Sequence, residues 1–472
     1  MNHGRRRLGM IILFLSDIVI LFLVLLLALQ IRSLLPLVTP AFTEFSGSVR
    51  SFIWFLPIWI FILAYEGAYT RKYTLWDEVK LLWKTTVFST ITLFSVLFLS
   101  KMSAGVSRTV VVLMAVLSAA IFPVLRITVK RLLVSSGLLK TRVLIVGAGS
   151  KGRKVLDALR REPNLGYEVA GFIADTAEKK RSLQGIKIYN RLEQVERFIK
   201  PGDIQDVVIA LSGTDKERLS RFVNKLQHKV RNVLYIPDIS GLAVVGTELR
   251  HFFQDQLFAI EIKNSLAQPV NYFVKRLSDY LIGIALFFVL AIPLLIIAIA
   301  IRMTSAGPGI FKQERIGRRG KPFLCYKFRT MHKDAEERLQ TILESNPSAK
   351  TEWDTHWKLR NDPRVTSIGS FLRKTSLDEL PQIFNVLKGD MSLVGPRPYL
   401  PSEWDAIKEY SELIHSVPPG ITGLWQVSGR SNSSYEQRLN YDSWYVRNWN
   451  MWLDMVIMMK TVKVVLKKEG AR

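Results

Sequence analysis

The sequence has one cysteine and an acidic content well below its basic content. Cys325 alone, among 472 residues, excludes an internal disulfide framework and a cysteine-rich zinc cluster. Lys and Arg number 65 against 40 Asp and Glu, a formal net charge of +25. No small-residue cleavage site follows the first apolar run, so we predict no cleavable signal peptide.

Hydrophobic residues nevertheless make up 49% of the chain. Nucleic-acid binding would explain the positive charge but not the long apolar runs. A membrane protein that faces an anionic leaflet explains both. We therefore expect membrane lipids as partners and no nucleic acid.

Four apolar runs in the first third are each long enough to approach the thickness of a bilayer core, roughly 30 Å. They predict four transmembrane helices, at Leu8–Ile31 and at about Ser51–Ala68, Leu81–Ser100 and Val110–Leu125. Lys and Arg cluster before the first run, between the second and third, and after the fourth, which predicts that the N-terminus and everything after Arg126 are cytoplasmic. Asp17 lies inside the first run; of a functional intramembrane acid and a partner for a neighbouring helix, we favour the partner.

A strand at Val143–Val146, a glycine loop, a helix through about Arg161 and a second strand at Tyr167–Ile173 follow the apolar region. Later strands are predicted at Asp206–Leu211 and Asn232–Ile236, on either side of a helix at Lys216–Lys229. The loop has the G-x-G-x-x-G spacing with Gly147, Gly149 and Gly152, and Asp175 follows the second strand. This is the dinucleotide-binding pattern, in which glycines let the backbone approach a pyrophosphate at a helix N-terminus. The pattern predicts a Rossmann-like module. No Tyr-x-x-x-Lys pair follows the glycines, which favours a regulatory or vestigial role over a bound nicotinamide nucleotide, and both remain open.

The run Tyr280–Ile301 is 22 residues long and uncharged. An ordinary fifth span and a re-entrant helix are both open from length alone. Basic residues flank it on both sides, Lys275 and Arg276 before it and a cluster from Arg302 to Lys321 after it, so both ends favour the cytoplasm. Pro293 removes one helix hydrogen bond, and we predict a helix, break and helix that dips into one leaflet and returns.

The remaining segment predicts a small α+β domain. Short strands are expected at Ile310–Arg315 and Phe323–Met331, and helices at His332–Glu344 and Ser367–Lys374. Aromatic and basic residues near the C-terminus suit an amphipathic helix on the headgroups, although packing of the tryptophans in the core is equally open.

The stretch from Arg373 to Gln382 holds the most reactive pattern. Asp378 and Glu379 are adjacent, and Arg373 and Lys374 precede them. Ser376 and Glu379 also have capping-box spacing, although Pro381 opposes a plain helix start. A carboxylate can attack phosphorus when cations or Mg²⁺ offset the charges, and Arg397, between two prolines, can clamp a phosphate. Spacing alone leaves a helix cap and phosphoryl transfer both open.

From about Val270 to the C-terminus, the sequence resembles the polyisoprenyl-phosphate hexose-1-phosphate transferases, the monotopic phosphoglycosyl transferases. The matching motifs are Lys275-Arg276-x-x-Asp279, Lys327-Phe328-Arg329-Thr330-Met331, Ser376–Gln382, Asn385–Ser392, Val394–Pro398, Pro419–Gly423 and Gln426–Arg430. The apolar helices and Rossmann-like module resemble the large members, and among these the sequence resembles the undecaprenyl-phosphate galactose phosphotransferase type. Leu424-Trp425 departs from the Trp-Ala of many small members.

The resemblance implies a ping-pong reaction. Asp378 matches the nucleophile that would attack the β-phosphate of a UDP-sugar, releasing UMP, before undecaprenyl phosphate accepts the sugar phosphate. Glu379 matches the second acid, with Mg²⁺ held by Asp378 and Glu379. Arg329, Arg373 and Arg397 occupy positions of phosphate-binding or supporting cations. The product would enter the synthesis of O-antigen or another surface polysaccharide. Glucose is the alternative to galactose as the transferred sugar.

Together these observations predict a membrane protein of mixed α and α/β class. A four-helix transmembrane bundle is expected in residues 1–137, a Rossmann-like module in 138–260, and an α+β catalytic domain with a re-entrant helix, about 277–301, in 261–472. The expected location is the bacterial inner membrane, multi-pass, with the soluble domains in the cytoplasm, and a homodimer is a candidate arrangement. Two other classes stay open: a membrane-tethered NAD-dependent nucleotide-sugar epimerase or dehydratase, and a non-catalytic partner of polysaccharide export.

Overall fold

The structure is a computed structural model of the whole chain, and its chain divides into two units, Met1–Ser240 and Gly241–Arg472. It describes residues 2–39, 42, 47–100, 106–174, 182–190, 199, 204–211, 219, 222–224, 226, 229–237, 248–252, 257–261, 265–304, 307–345, 350, 362–428 and 434–467. Asp175 and most of a predicted helix at Lys216–Lys229 lie outside these residues.

The first unit begins with four apolar helices. They are α1 (Asn2–Val38), α2 (Phe55–Tyr65), α3 (Leu75–Leu99) and α4 (Arg108–Ser135). Leu21, Leu25 and Trp59 are buried where the helices meet, while Val19 and Phe61 are more than half exposed on the outside. Apolar side chains on both the inside and the outside of a helix cluster are typical of a protein surrounded by lipid.

Three of these helices are long and apolar enough to cross a membrane, namely α1, α3 and α4. The second predicted span differs, because α2 has 11 residues and therefore rises only roughly 16 Å. Turns at its two ends, not helix, account for the rest of the apolar run. Hydropathy indicates the length of an apolar run but not the residues at which a helix begins and ends.

Asp17 is buried and pairs with Arg126 of α4, with Nε 3.0 Å from the carboxylate. The Tyr69 hydroxyl donates to the same carboxylate at 2.8 Å. Arg126 also pairs with Glu78 of α3, which binds Lys130 as well. The prediction that Asp17 is a partner for a neighbouring helix is confirmed.

A parallel sheet follows the helices. Its strands are β1 (Thr141–Val146), β2 (Tyr167–Ala174), β3 (Ser182–Leu183), β4 (Ile186–Asn190), β5 (Asp206–Ile209) and β6 (Asn232–Tyr235), and α5 (Ser150–Arg161) connects β1 to β2. The strand order is β3-β4-β2-β1-β5-β6, with only β3 antiparallel. The parallel strands therefore run 3-2-1-4-5, the order of the dinucleotide-binding fold.

The second unit opens with a hairpin, β7 (Glu248–Phe252) and β8 (Leu257–Glu261), and the apolar helix α6 (Pro269–Thr304). An antiparallel pair, β9 (Ile310–Ile316) and β10 (Pro322–Phe328), comes next. Helices α7 (Ala335–Ser345) and α8 (Ser367–Thr375), a 3₁₀ segment (Leu377–Gln382) and α9 (Ile383–Lys388) lead to β11 (Ser392–Val394). The chain ends with α10 (Trp404–Ile414), β12 (Gly420–Thr422), α11 (Leu424–Ser428), α12 (Tyr435–Arg447) and α13 (Met451–Lys467).

The helix α6 is continuous through Pro293, so the structure differs from the predicted helix, break and helix. One proline can be accommodated in an apolar helix when neighbouring groups adjust around the lost hydrogen bond. Phe288, just before Pro293, is 73% exposed, whereas Ile301 near the end of the helix is buried in the core of the second unit.

Charged side chains at the start of α6 are buried against the same core. Lys275 lies 2.7 Å from Asp454 and donates to the Val394 carbonyl at 2.9 Å. Asp279 accepts hydrogen bonds from the Ser392 hydroxyl at 2.7 Å and from the Leu393 N–H at 3.1 Å. These contacts attach α6 to β11 and explain the spacing of the motif that begins at Lys275.

The C-terminal aromatic residues lie on two helices, α12 and α13, and on the short connection between them, which holds Trp449. Tyr445 and Trp449 are buried, while Trp444 is partly exposed. Of the two open interpretations, core packing therefore holds for Tyr445 and Trp449.

Candidate active site

The adjacent acids Asp378 and Glu379 lie in the 3₁₀ segment between α8 and α9. Ser376 ends α8 in the left-handed region, with φ of 57°, a conformation uncommon for a residue with a side chain. Pro381 cannot donate to a helical hydrogen bond, which fits a 3₁₀ segment here in place of a continuous α-helix. The reversal at Ser376 sets the direction in which the two acids leave α8.

The capping box suggested by Ser376 and Glu379 is not formed. The Ser376 side chain makes no capping hydrogen bond, because its own backbone is left-handed, whereas a capping residue normally has an extended one. Glu379 instead pairs with Lys327, with 2.7 Å between Nζ and Oε1. Ser376 and Glu379 therefore have separate roles: Ser376 ends α8, and Glu379 pairs with Lys327.

Lys327 belongs to β10, which α9 holds in place through one buried side chain. The Asn385 amide donates to the Leu324 carbonyl at 2.7 Å, and its oxygen accepts from the Tyr326 N–H at 3.0 Å. Both contacts act on the backbone just before Lys327. The strand and the acid-bearing segment are therefore fixed to each other across 52 residues of sequence.

Asp378 lies in an environment that disfavours its charge. Burial, followed by the negative charge of Glu379, raises the pKa of Asp378 to about 6, while Lys327 and Arg373 act in the opposite direction. At neutral pH the carboxylate is therefore mostly ionised and poorly solvated. A carboxylate with these properties suits nucleophilic attack at a phosphate whose own charge is offset.

Arg373 is placed near Asp378 by the last turn of α8. Its Nε donates to the Thr330 hydroxyl at 2.9 Å. Thr330 is in turn held against the start of α8, where its carbonyl accepts from the Thr366 N–H at 3.0 Å. The structure thus brings Arg373 and the two acids together, as predicted from sequence proximity.

Arg329 and Arg397 lie in different surroundings. The Arg329 backbone N–H donates to the Gly309 carbonyl at 2.9 Å, and its guanidinium lies against Gly307, in the turn that follows α6. Arg397 follows β11; its N–H donates to Asp442 at 3.1 Å, and its guanidinium carbon is 5.5 Å from the centre of the Trp425 ring.

Lys327 is the site residue that the sequence reasoning missed. It lies two positions before Arg329 in a predicted strand, and alternate residues of a strand share a face. A search for basic residues at that spacing from Arg329 would have found it. The sequence pattern instead indicated Arg373 and Lys374, which lie close to the two acids along the chain.

A metal ion at this site would have two protein carboxylates available. Within the described residues, no group of three or more His, Cys, Asp or Glu side chains could hold an ion. Mg²⁺ commonly binds one or two carboxylates and completes its shell with water and substrate phosphates. Asp378 and Glu379 would supply these two carboxylates, and Glu379 would then contact both the ion and Lys327.

The glycine loop of the first unit has a packing explanation for two of its three glycines. A Cβ on Gly147, whose φ is +109°, would lie 2.4 Å from the Ala210 carbonyl oxygen, and one on Gly152 would lie 1.9 Å from the Gly147 oxygen. A Cβ on Gly149 would meet nothing within 4 Å. Packing therefore accounts for glycine at positions 147 and 152, whereas at Gly149 only the close approach of a ligand would require the absence of a side chain.

A cavity of about 530 Å³ lies beside that loop. Its walls are the α5 side chains and the neighbouring strands, and they include Lys72, Ser150, Lys151, Lys154, Tyr167, Leu234 and Ile236. Lys151 is also bonded to the Leu211 carbonyl at 3.3 Å. A cavity lined by both lysine and apolar side chains is compatible with the open alternatives for this module.

Two family models match the chain. One, described as a bacterial sugar transferase, matches residues 270–468. The other, described as a CoA-binding domain, matches residues 64–237.

Three relatives align with most of the chain. The UDP-galactose-lipid carrier transferase of Erwinia amylovora is 38% identical, over 85% of this chain and 84% of its own. The undecaprenyl-phosphate galactose phosphotransferase of Salmonella typhimurium is 36% identical, over 94% of this chain and 91% of its own. A UDP-glucose:undecaprenyl-phosphate glucose-1-phosphate transferase of Klebsiella pneumoniae is 34% identical, over 68% of this chain and 67% of its own.

Proposed function

The chain belongs to the bacterial sugar transferase family, and from that membership we propose that it transfers a hexose-1-phosphate from a UDP-sugar to undecaprenyl phosphate. The observation that carries the proposal is the pair Asp378 and Glu379, in which Lys327 neutralises Glu379 and Asp378 stays poorly solvated. The product would be the first lipid-linked intermediate of a surface polysaccharide, such as O-antigen.

In the first step, a carboxylate oxygen of Asp378 attacks the β-phosphorus of the UDP-sugar. The bond from that phosphorus to the bridging oxygen breaks, UMP leaves, and the sugar phosphate remains on Asp378. In the second step, an oxygen of undecaprenyl phosphate attacks the same phosphorus, the bond to Asp378 breaks, and undecaprenyl-diphospho-hexose is released. Each step replaces one phosphorus–oxygen bond with another, so no oxidant or reductant is needed.

The neighbouring cations give Asp378 its reactivity. Lys327 and Arg373 both favour the ionised carboxylate, and their charges would also oppose the negative charge that gathers on the phosphate. Arg329 and Arg397 are proposed to contact substrate phosphates, each from its own loop. Mg²⁺, if held by Asp378 and Glu379, would supply charge neutralisation at the phosphate oxygens.

We propose galactose as the preferred hexose. The two relatives named for galactose align along 85% and 94% of the chain, whereas the relative named for glucose aligns along 68%. UMP release from UDP-galactose and UDP-glucose, measured side by side with undecaprenyl phosphate in nanodiscs, tests the choice. A higher kcat/KM for UDP-glucose would reverse it.

The apolar helices support an inner-membrane location with the reaction on the cytoplasmic side. We propose that α1–α4 anchor the protein as a bundle, and that both ends of α6 lie on the same side of the membrane, which a helix that is continuous through Pro293 can achieve only by bending. Support comes from Lys275 and Ile301, near the two ends of α6, which are both buried in the second unit. Between them one face of α6 packs on the core at Leu294, and the opposite face, with Phe288, is apolar and exposed. Basic residues on both sides of the helix support the same path.

Single cysteines placed at Val270 and Arg319, in a background where Cys325 is replaced by Ser, test the path of α6. Membrane-impermeant maleimide should label both positions from the cytoplasmic side of inverted vesicles. Labelling of the two positions from opposite sides would exclude a re-entrant helix.

The variant Asp378→Asn tests the reaction. It should abolish UMP release in a single turnover without acceptor, and the wild-type protein should yield a phospho-hexose adduct on the peptide that contains Asp378. Asp405→Asn, which removes an exposed acid from α10, is the matched control and should behave as wild type. Undiminished UMP release by Asp378→Asn would refute the proposal.

A further inference from the structure

Two arginines of the second unit lie over one tryptophan, and a third arginine is bonded beside one of them. Arg315 comes from β9, Arg397 from the loop after β11, and Arg438 from α12. The guanidinium carbons of Arg397 and Arg438 lie 5.5 Å and 5.2 Å from the centre of the Trp425 ring. Arg315 joins them by donating to the Pro398 carbonyl at 3.2 Å, directly beside Arg397. We refer to Arg315, Arg397 and Arg438 as the arginine cluster.

The cluster is incompletely paired. Arg315 is only 6% exposed, and its two Nη atoms donate to the Pro398 carbonyl and to the Gln313 side-chain oxygen. The Nε of Arg315, like the Nε of Arg438, is buried without a hydrogen-bond partner. Within the described part of the chain, no carboxylate forms an ion pair with any of the three guanidinium groups, since every ion pair found there joins other residues. Buried donors without partners cost free energy unless a ligand satisfies them.

Two acids lie near the cluster, and the hydrogen bonds that they accept come from a hydroxyl and from backbone N–H groups. Asp442 Oδ2 accepts from the Tyr399 hydroxyl at 2.8 Å and from the Arg397 N–H at 3.1 Å, while its Oδ1 is buried without a hydrogen-bond partner. Glu403 accepts from the Leu400 N–H at 2.7 Å. Burial raises the pKa of Asp442 to about 7, so its charge offsets that of the cluster less than an ordinary carboxylate would.

The strand that carries Arg315 is paired with the strand that contacts the acids. Arg315 lies in β9, which is antiparallel to β10, and Lys327 of β10 forms the ion pair with Glu379. Burial and the charge of Arg397 lower the pKa of Arg315, while Cys325, Glu403 and Glu379, in that order, act in the opposite direction. The cluster is therefore attached to the active site through this strand pair.

We propose that Arg315, Arg397 and Arg438 together bind the diphosphate of the nucleotide-sugar donor. Arginine forms bidentate hydrogen bonds to phosphate oxygens, and two linked phosphates offer enough oxygens for three guanidinium groups. Tyr435, on the same helix as Arg438, is 37% exposed and offers a ring face to a planar base, which a lipid phosphate lacks. The inference rests on the proposed function and adds Arg315 and Arg438 to it.

The experiment uses the full chain in nanodiscs and the variant Arg438→Gln. UDP binding is measured by calorimetry without lipid acceptor or turnover, so the result can be read even if the proposed transfer reaction fails. We expect the Kd of UDP to rise roughly ten- to hundred-fold, the loss of a hydrogen bond to a charged group, and Arg438→Lys to recover part of the affinity. Arg447→Gln, which removes an exposed arginine from the same helix, should leave the Kd unchanged.

A second arm separates the two substrates that carry phosphate. The KM for undecaprenyl phosphate should stay within about two-fold of wild type in Arg438→Gln, a change worth less than a typical net hydrogen bond. A raised KM for the lipid with an unchanged Kd for UDP would assign the cluster to the acceptor and overturn the donor assignment. If Arg438→Gln and Arg315→Gln, each with an unchanged thermal midpoint, alter neither quantity, the cluster binds neither substrate and the proposal is wrong.

Discussion

Lys327 and Glu379 form an ion pair of 2.7 Å beside Asp378. The strand β10 supplies the cation, and the 3₁₀ segment supplies both acids. The pair therefore neutralises the acid that repels Asp378, while Lys327 itself favours the ionised form of Asp378. This arrangement leads to the first prediction.

Replacing Lys327 by Met should move the acid limb of the pH–rate profile to higher pH. The Lys327 charge lowers the pKa of Asp378 and Glu379 raises it, so losing Lys327 raises the pKa of Asp378 above its value of about 6. Less carboxylate is then ionised at pH 7, and we expect the single-turnover rate of UMP release to fall roughly ten-fold. Lys388→Met, at an exposed lysine of α9, is the control; a limb that stays in place or moves to lower pH would contradict the assignment.

Gly369→Ala should destabilise the catalytic unit and reduce its activity. The new Cβ would lie 2.0 Å from the Thr330 carbonyl oxygen, and a displaced Thr330 no longer receives the hydrogen bond from Arg373. We expect a loss of about 1–3 kcal/mol from overpacking, visible in the thermal midpoint together with slower UMP release. Gly309→Ala, whose Cβ would meet the Ala298 oxygen at an ordinary 3.6 Å, should be tolerated; equal behaviour of the two variants would argue against the contact.

Arg126→Met should destabilise the first unit by about 3–5 kcal/mol. Arg126 is fully buried between Asp17 and Glu78, so its removal leaves two buried acids with less compensation. Thermal unfolding in nanodiscs measures the effect, and Asp17→Asn combined with Arg126→Met should recover part of it. Arg131→Met, at an exposed position of the same helix, should have little effect, and the interpretation fails if both single variants melt alike.

Gly152→Ala and Gly149→Ala should separate packing from ligand binding in the first unit. Gly152 has no space for a side chain, whereas Gly149 is open. Gly152→Ala should lower the thermal midpoint, and Gly149→Ala should not. If a nucleotide binds this loop, Gly149→Ala should weaken UDP or NAD binding in calorimetry without changing stability. If the wild-type protein binds the nucleotide and Gly149→Ala binds it equally well, the binding site is not at this loop.

Divalent metal binding can be followed without turnover by titrating Mn²⁺ in the presence of UDP and recording its electron paramagnetic resonance. Two carboxylates are the donors available at the site, so Asp378→Asn and Glu379→Gln should each weaken Mn²⁺ binding roughly ten-fold or more. Asp405→Asn again serves as the control. Full affinity in both active-site variants would exclude the pair as metal ligands.

Local pattern was sufficient for much of the fold. The strands β1, β2, β5, β6, β9 and β10 and the helix α8 lie where apolar runs and turn residues predicted them, to within a few residues. Predictions failed where an outcome depended on where a helix ends or bends, as at α2 and at Pro293 of α6. Hydropathy reports the length of an apolar run, but helix ends are set by turns and by packing against neighbours.

Composition and neighbours along the chain were enough to predict a membrane protein, a glycine loop after the first strand of an α/β sheet, and a reactive pair of adjacent acids, Asp378 and Glu379. Contacts across the fold were needed to find that Lys327 neutralises Glu379 and that Ser376 reverses α8 and leaves its capping box unformed. They were also needed to find that Arg397 and Arg438 lie over Trp425 and that Arg315 is bonded beside Arg397. Charge and burial act across space, and the side chains that set them come from strands and helices far apart in sequence.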